Sequence, residues 1–424
     1  MTDHLPLGSH LNYRQGVLHL EQANLSELAR THGTPLFVYS KAAMLDALAA
    51  YQRGLAHRPS RIHYAMKANS SLAIVQLFAQ AGCGFDIVSG GELTRVLAAG
   101  GDPAQVIFSG VGKTRAEMRQ ALKAGIGCFN VESVAELEVL NEVALSMSLR
   151  APVSIRVNPN VDAQTHPYIS TGLKDNKFGI AHDEALRIYQ KAAALPGLKV
   201  VGMDCHIGSQ IVEVSPYLDA LDRLLDLVDA VEATGISIDH LDLGGGLGIT
   251  YTQEQPPEPR DFVQQLLKRL DERGHGHRKL ILEPGRSLVG NAGVLLTEVL
   301  YLKPGPKNFC IVDAAMNDLV RPAMYGGHHA ISLVARADEF ECDAHLRSAA
   351  PHAAAERSRD SGFLRHLPQR LCQDRKAGAP GPLAAAGGRQ GPDLRPLQFD
   401  RRGDAGGRET TPAVPQAGRH RCRA

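Results

Sequence analysis

The sequence lacks an excess of charge of either sign. Its 46 lysines and arginines face 45 acidic residues, a formal net charge of +1, which offers no field for a nucleic acid or a membrane surface. Paired cysteines are missing too. Cys83, Cys128, Cys205, Cys310, Cys342, Cys372 and Cys422 are scattered with no C-x-x-C pair. Neither a disulfide framework nor a metal site is expected from them, and reduced thiols in a cytoplasm are. No apolar run approaches the roughly 20 residues that cross a bilayer. The opening Met1-Thr-Asp-His-Leu-Pro6 has no basic stretch leading into an apolar core, so no secretory signal is visible. At 424 residues the chain has room for two domains, or for one barrel with an appendage.

What is there is a repeat of structure. Residues 1–40 hold two short strand-like pieces, Val17–Leu20 and Leu36–Tyr39, with a helix expected from Leu25 to Thr31 between them. They look like the opening of a small β domain. From about residue 41 a unit recurs: an apolar strand, a polar or glycine-containing loop, then an amphipathic helix. The strands read as Ile62–Lys67, Phe85–Ser89, Val106–Gly110, Cys128–Glu132, Val153–Asn158, Val200–His206, Leu241–Gly244 and Leu280–Glu283. Eight βα units in series predict an α/β fold of the (β/α)8 TIM-barrel kind over 41–300. A doubly wound open sheet would carry G-x-G-x-x-G after its first strand, where this chain has Lys67-Ala-Asn-Ser-Ser71.

Polar residues and glycines collect just past these strands. They include Lys67, Asp86, the run Ser89 to Glu92, Arg156, Asn158, His206, Ser209, Gly244-Gly245-Gly246, Glu283, Gly285 and Arg286. In a barrel all such ends lie on the one face where active sites are built. Loops after strands seven and eight commonly hold phosphate there, glycines letting backbone N–H groups close on an anion. Arg286 would add charge and Ser209 a hydrogen bond. A phosphate held opposite a strand-one lysine suggests pyridoxal 5'-phosphate, which needs an amine for its aldehyde and a partner for its ring nitrogen. Lys67 is the candidate amine, and burial beside Tyr64 and Met66 is expected to lower its pKa. Glu283 suits the ring nitrogen, and His206 could lie flat against the ring. A metal-dependent barrel hydrolase using His206, Asp242 and Glu283 is a weaker alternative; it leaves Lys67 unused, and no metal is expected.

Seven segments, taken in order, carry a family resemblance: Tyr64-Ala-Met-Lys67-Ala-Asn69, Phe85 to Glu92, Lys177-Phe-Gly179, Cys205 to Gln210, Gly244 to Ile249, Glu283-Pro-Gly-Arg-Ser287 and Arg321-Pro-Ala-Met-Tyr325. Together they resemble the diaminopimelate decarboxylases, lysine-biosynthesis enzymes of the alanine-racemase-like, pyridoxal-phosphate barrel class, over roughly residues 10–330. The resemblance implies that Lys67 carries the cofactor covalently, that His206 stacks on its ring and that Glu283 meets its nitrogen. Asp86, Ser209, Gly244–Gly246, Gly285 and Arg286 would join the cofactor site, and Arg286, Arg321 and Tyr325 would bind substrate. Diaminopimelate has a second amino-acid head group, which two arginines would suit by bidentate pairing. An ornithine or arginine decarboxylase of the class would want acid there. The resemblance also implies a homodimer with a shared active site.

The match stops near residue 330. Residues 331–424 hold 15 arginines and one lysine, against 18 and 12 before them, with no tyrosine and few β-branched residues. That composition cannot pack a strand domain. The expected layout is therefore 1–40 as the N-terminal part of a β domain, 41–300 as the barrel, 301–330 as the start of the C-terminal β domain, and 331–424 as an aberrant tail. The second β domain would be incomplete or disordered. The family's Cys-Glu-Ser segment, which supplies a proton donor, has no counterpart: Cys342, Cys372 and Cys422 lead into Asp-Ala-His, Gln-Asp-Arg and Arg-Ala. Impaired decarboxylation, or a non-catalytic pyridoxal-phosphate protein, is the reading this leaves open.

Overall fold

The computed structural model describes residues 10–56, 58–162 and 177–335. The tail beyond Ala335, with Cys342, Cys372 and Cys422, lies outside the described residues. By its contacts the chain divides into residues 1–370 and 371–424, and every described residue belongs to the first unit.

Eight parallel strands close on themselves: Arg61–Ala65, Gly84–Ile87, Val106–Phe108, Cys128–Val131, Ala151–Asn158, Leu198–Asp204, His240–Asp242 and Lys279–Leu282. Each pairs with the next, and the eighth returns to the first through Ile281 opposite Arg61 and Leu282 opposite Ile62. This is the barrel that the repeating βα pattern predicts. Short, almost wholly buried strands follow from having side chains inside and helices outside; Gly84–Ile87 and Cys128–Val131 are buried at every position.

The outer helices show why the chain folds this way. In Pro259–Glu272 the buried residues are Phe262, Val263, Leu266, Leu267 and Leu270, one stripe at helical spacing. Helix Lys41–Leu55 buries Met44, Leu48, Tyr51 and Leu55 and comes so close to it that a Cβ on Gly54 would sit 2.8 Å from Val263 Cβ. The loops leaving strands two, three and four end on Ser89, Thr114 and Ser133, whose hydroxyls accept from the backbone N–H of Glu92, Glu117 and Glu136. Such caps contribute about 1 kcal/mol each and fix where each loop stops.

Both ends of the described chain meet outside the barrel. Leu11–Arg14, Val17–Leu20 and Ala23–Asn24 form a three-stranded sheet, and Leu25–His32 is the expected helix. Leu36–Tyr39 pairs antiparallel with Gly293–Leu296. Leu11, Leu18, Leu20, Leu25 and Leu296 make a small core of their own. Leu18 N donates to Val334 O at 2.7 Å. Val299–Lys303 and Phe309–Val312 form a hairpin with Val299, Leu300, Tyr301, Phe309 and Ile311 exposed. No helix among the described residues is long and apolar enough to cross a membrane.

Candidate active site at the barrel mouth

Strand one ends at Ala65, two residues before the reading of the sequence would end it. Ala65 N donates to Pro284 O at 3.2 Å, and the chain then turns through a single 3-10 turn, Met66–Ala68. Met66 plugs the core, and the Tyr64 hydroxyl donates to Asn69 O at 2.9 Å, closing the turn. Lys67 therefore stands on the rim between a buried anchor and a tied loop. Its side chain keeps 49% of its area exposed, and Nζ donates to Asp86 Oδ2 at 2.8 Å from a carboxylate that is wholly buried. This corrects the expected pKa direction. Burial lowers the Lys67 pKa, but Asp86 and Glu283 outweigh it and the net shift is upward; the amine is held as an ammonium.

Below the rim lies a group of acids. Asp204, Asp242 and Glu283 each bring one carboxylate oxygen within 4.8 Å of the others, and all three are buried. Asp242 accepts from Gly244 N at 2.8 Å. Asp86 Oδ1, Asp204 Oδ1, Asp242 Oδ2 and Glu283 Oε1 have no hydrogen-bond partner. Burial first, then mutual repulsion, pushes Asp204 and Glu283 well above the carboxylate range. Asp242 is pushed up to about 7, burial again leading. A cation placed against these buried acids would return them to the charged form. Beside them Arg156 pairs with Glu132 at 3.3 Å, and Glu132 also accepts from Gly110 N and Gly179 N, tying three loops together.

The glycine run serves closeness more than free N–H groups. Gly244 and Gly246 have φ of +65° and +104°, and a Cβ on Gly245 would lie 2.1 Å from Glu283 O. Of the expected anion donors, Gly244 N is spent on Asp242, and Gly245 N donates to His206 Nδ1 at 3.2 Å. That bond leaves the His206 proton on Nε2. Burial, then Lys67 and Arg156, hold the ring well below the usual histidine range, hence neutral. A Cβ on Gly285 would touch Ala68 and Ala65 at 3.0 and 3.2 Å, so glycine there lets the strand-eight loop lie against the Lys67 turn.

Arg286 Nη2 donates to Ser209 Oγ at 2.9 Å, and Nη1 donates to the Tyr251 hydroxyl. Arg321 lies over the Tyr251 ring with Cζ 4.8 Å from its centroid. The structure thus gathers Lys67, Asp86, His206, Ser209, Gly244–Gly246, Glu283, Gly285, Arg286 and Arg321 around one mouth. Tyr325 ends the short helix Arg321–Tyr325, and its side chain lies outside the described part.

Residues 42–290 match the family model described as "Pyridoxal-dependent decarboxylase, pyridoxal binding domain". The diaminopimelate decarboxylase of Pseudomonas aeruginosa is 58% identical over 316 residues, 74% of this chain and 75% of that protein. The chain belongs to the diaminopimelate decarboxylase family. Solved structures agree. The Helicobacter pylori diaminopimelate decarboxylase complexed with L-lysine superposes with a TM-score of 0.70 at 43% identity, covering 72% of this chain and 77% of that one. The diaminopimelate decarboxylase of M. jannaschii gives 0.72 at 37% identity, covering 76% and 77%.

Within this member of the family, sequence reading passed over Asp204, Glu132, Gln210, Glu254, Tyr251 and His329 as site components. Tyr251 had a faint signal: it is the first aromatic after the glycine run. The others matter only through partners distant in the chain.

Proposed function

We propose that this chain is built for the pyridoxal-phosphate-dependent decarboxylation of meso-2,6-diaminopimelate to L-lysine, the last step of lysine biosynthesis, with turnover impaired by the missing C-terminal catalytic segment. The observation that carries it is the meeting of Lys67 with Glu283 at one barrel mouth: the loop after Glu283 lies against the Lys67 turn at Gly285, and Glu283 Oε1 lacks a donor. The residues fit the cofactor: an amine for the aldehyde, an acid with an unpartnered oxygen for the ring nitrogen, and Ser209 with Arg286 for the phosphate end. When bound, pyridoxal phosphate supplies an electron sink for the substrate α-carbon as carbon dioxide leaves.

Each protein group has a task of its own. Lys67 must give up a proton before it can attack, and Asp86 at 2.8 Å is the nearest acceptor. His206, neutral and fixed by Gly245, presents an uncharged face, so no second cation competes with the ring for Glu283. Glu283 would hold the pyridine nitrogen and, ionised by that partner, would keep the nitrogen protonated. Arg286 and Arg321 would face the substrate carboxylate that is not lost.

Activity has a second requirement, met in the family by a Cys-Glu-Ser segment that residues 331–424 do not contain. We take that tail as out-of-frame translation beginning near residues 331–350, on the change in arginine-to-lysine ratio; the other two reading frames of the gene should contain Cys-Glu-Ser, and their failure to do so would sink the idea. The layout 1–40, 41–300, 301–330 and 331–424, a homodimer with a shared site, and a place in the cytoplasm go with this reading.

The test is direct. Purified protein loaded with pyridoxal phosphate should show the absorbance of a protonated lysine-bound cofactor, and Lys67→Ala should lose it entirely. Diaminopimelate is then added, and carbon dioxide and lysine are measured. Cofactor absorbance without lysine marks the non-catalytic homologue; preference for ornithine in competition overturns the assignment of Arg321.

A further inference from the structure

We propose that Tyr251 is a positioning residue that sets the spacing of Arg286 and Arg321, and through it selects a ligand with a carboxylate at its far end. The inference rests on the function proposed above and adds a residue to it. Tyr251 holds both guanidinium groups at once. Arg286 Cζ and Arg321 Cζ lie 5.8 and 4.8 Å from its ring centroid, and its hydroxyl accepts from Arg286 Nη1. His329 meets the same ring edge-on at 6.0 Å.

Two like charges on one ring repel, and a ring face offsets only part of that. The arrangement wants an anion between them. Two donors are also unspent: Arg286 Nε and Arg321 Nη1 are buried with no hydrogen-bond partner, and His329 Nε2 is unpartnered beside them. A buried donor left unmade costs more than a made one gains, so two of them around one ring mark a place for an oxygen-rich ligand group. A carboxylate offers the two oxygens needed.

The ring is fixed from both sides of its loop. Upstream, the Gln210 amide brackets Ile249, donating to its O at 2.6 Å and accepting from its N at 3.2 Å. Downstream, Glu254 Oε2 accepts from Tyr251 N at 3.0 Å and Thr252 N at 2.7 Å. Tyr251 is therefore held by its own backbone and can act as a post for the arginines. Its ring also joins the phosphate-side arginine, bonded to Ser209, to the arginine beyond the barrel. Cofactor and substrate ends are thus set at one distance.

The test uses cofactor-loaded full-length protein and two ligands differing only in one carboxylate, L-lysine and cadaverine, titrated by calorimetry. Wild type should prefer lysine. Tyr251→Phe, which keeps the ring and loses the hydroxyl, should weaken lysine about fivefold, and Tyr251→Leu about 30-fold, with cadaverine unchanged in both. Cofactor affinity, read from its absorbance, separates failures. A variant that loses lysine and cadaverine alike, or keeps its lysine preference, overturns the role of Tyr251. A wild type that binds cofactor without preferring lysine overturns the arginine cradle itself, and one that binds no cofactor overturns the proposed function with it.

Discussion

At the mouth of the barrel, Asp86, Asp204, Asp242 and Glu283 bury carboxylate oxygens with no donor in front of them; at the floor, His63 and His240 bury imidazole rings. Both groups are nearly inaccessible, yet burial acts on them in opposite senses. It pushes Asp242 up to about 7, and pulls His63 down to about 3 and His240 down to about 4, with Lys279 adding to the histidine shifts. The floor histidines end up neutral, as packing units, although His63 Nδ1 and Nε2 and His240 Nε2 lack hydrogen-bond partners just as the acids do. Glycines are cut to fit them: a Cβ on Gly84 would lie 2.7 Å from His63 Nε2, and one on Gly202 2.2 Å from His240 Nε2. At the mouth, Asp204, Asp242 and Glu283 instead have their pKa values raised, so they hold protons until a cation arrives to ionise them. One end is finished by folding, and the other is finished by a ligand.

The sharpest way to break this contrast is Glu283→Gln. If the mouth is strained for function, lysine formation should fall about 100-fold, since an amide cannot hold the ring proton by charge. The cofactor-free protein should meanwhile become more stable to urea, because a buried ionisable group with no partner is gone. Lower stability in the variant would mean Glu283 is structural. The floor should answer differently. Gly202→Ala places a methyl group against the His240 ring and should cost about 1–3 kcal/mol of stability in urea titration. It should leave cofactor affinity unchanged, and a loss of affinity equal to that of a mouth variant would erase the distinction.

Much of this was legible before any coordinates. Eight apolar runs, each followed by polar or glycine residues, are local patterns, and local patterns survive reading in one dimension. The strand ends moved by at most two residues because the last ladder bond is decided by a neighbouring loop, as with Ala65 N and Pro284 O. The sign of the Lys67 shift was misread for the same reason. Burial is suggested by neighbours in sequence, Tyr64 and Met66, but the deciding charges, Asp86 and Glu283, come from strands two and eight. Tyr251 escaped notice because its meaning lies in Arg321 and His329, across the rest of the barrel. Side-chain pairings of this kind have no period.

The effect that separates the two ends most cleanly is the pH dependence of stability in cofactor-free protein. For Asp242, Asp204 and Glu283 the folded pKa is raised, so the folded state binds more protons than the unfolded chain. Their contribution is fully present below about pH 4, where unfolded carboxyls titrate, and for Asp242 is lost as pH rises through about 7. For His63 and His240 the folded pKa is lowered. The unfolded chain then binds more protons below about pH 6.5, and stability falls as pH drops from there toward about 3 and about 4. Urea midpoints measured across this range should show the two limbs. Asp242→Asn should flatten the upper limb and leave the lower, and His240→Gln the reverse. Loading with pyridoxal phosphate should also flatten the upper limb alone, since a cation at Glu283 favours the ionised acids at the mouth and reaches nothing at the floor. If loading flattens both limbs, the ends are coupled and the division of labour drawn here is wrong.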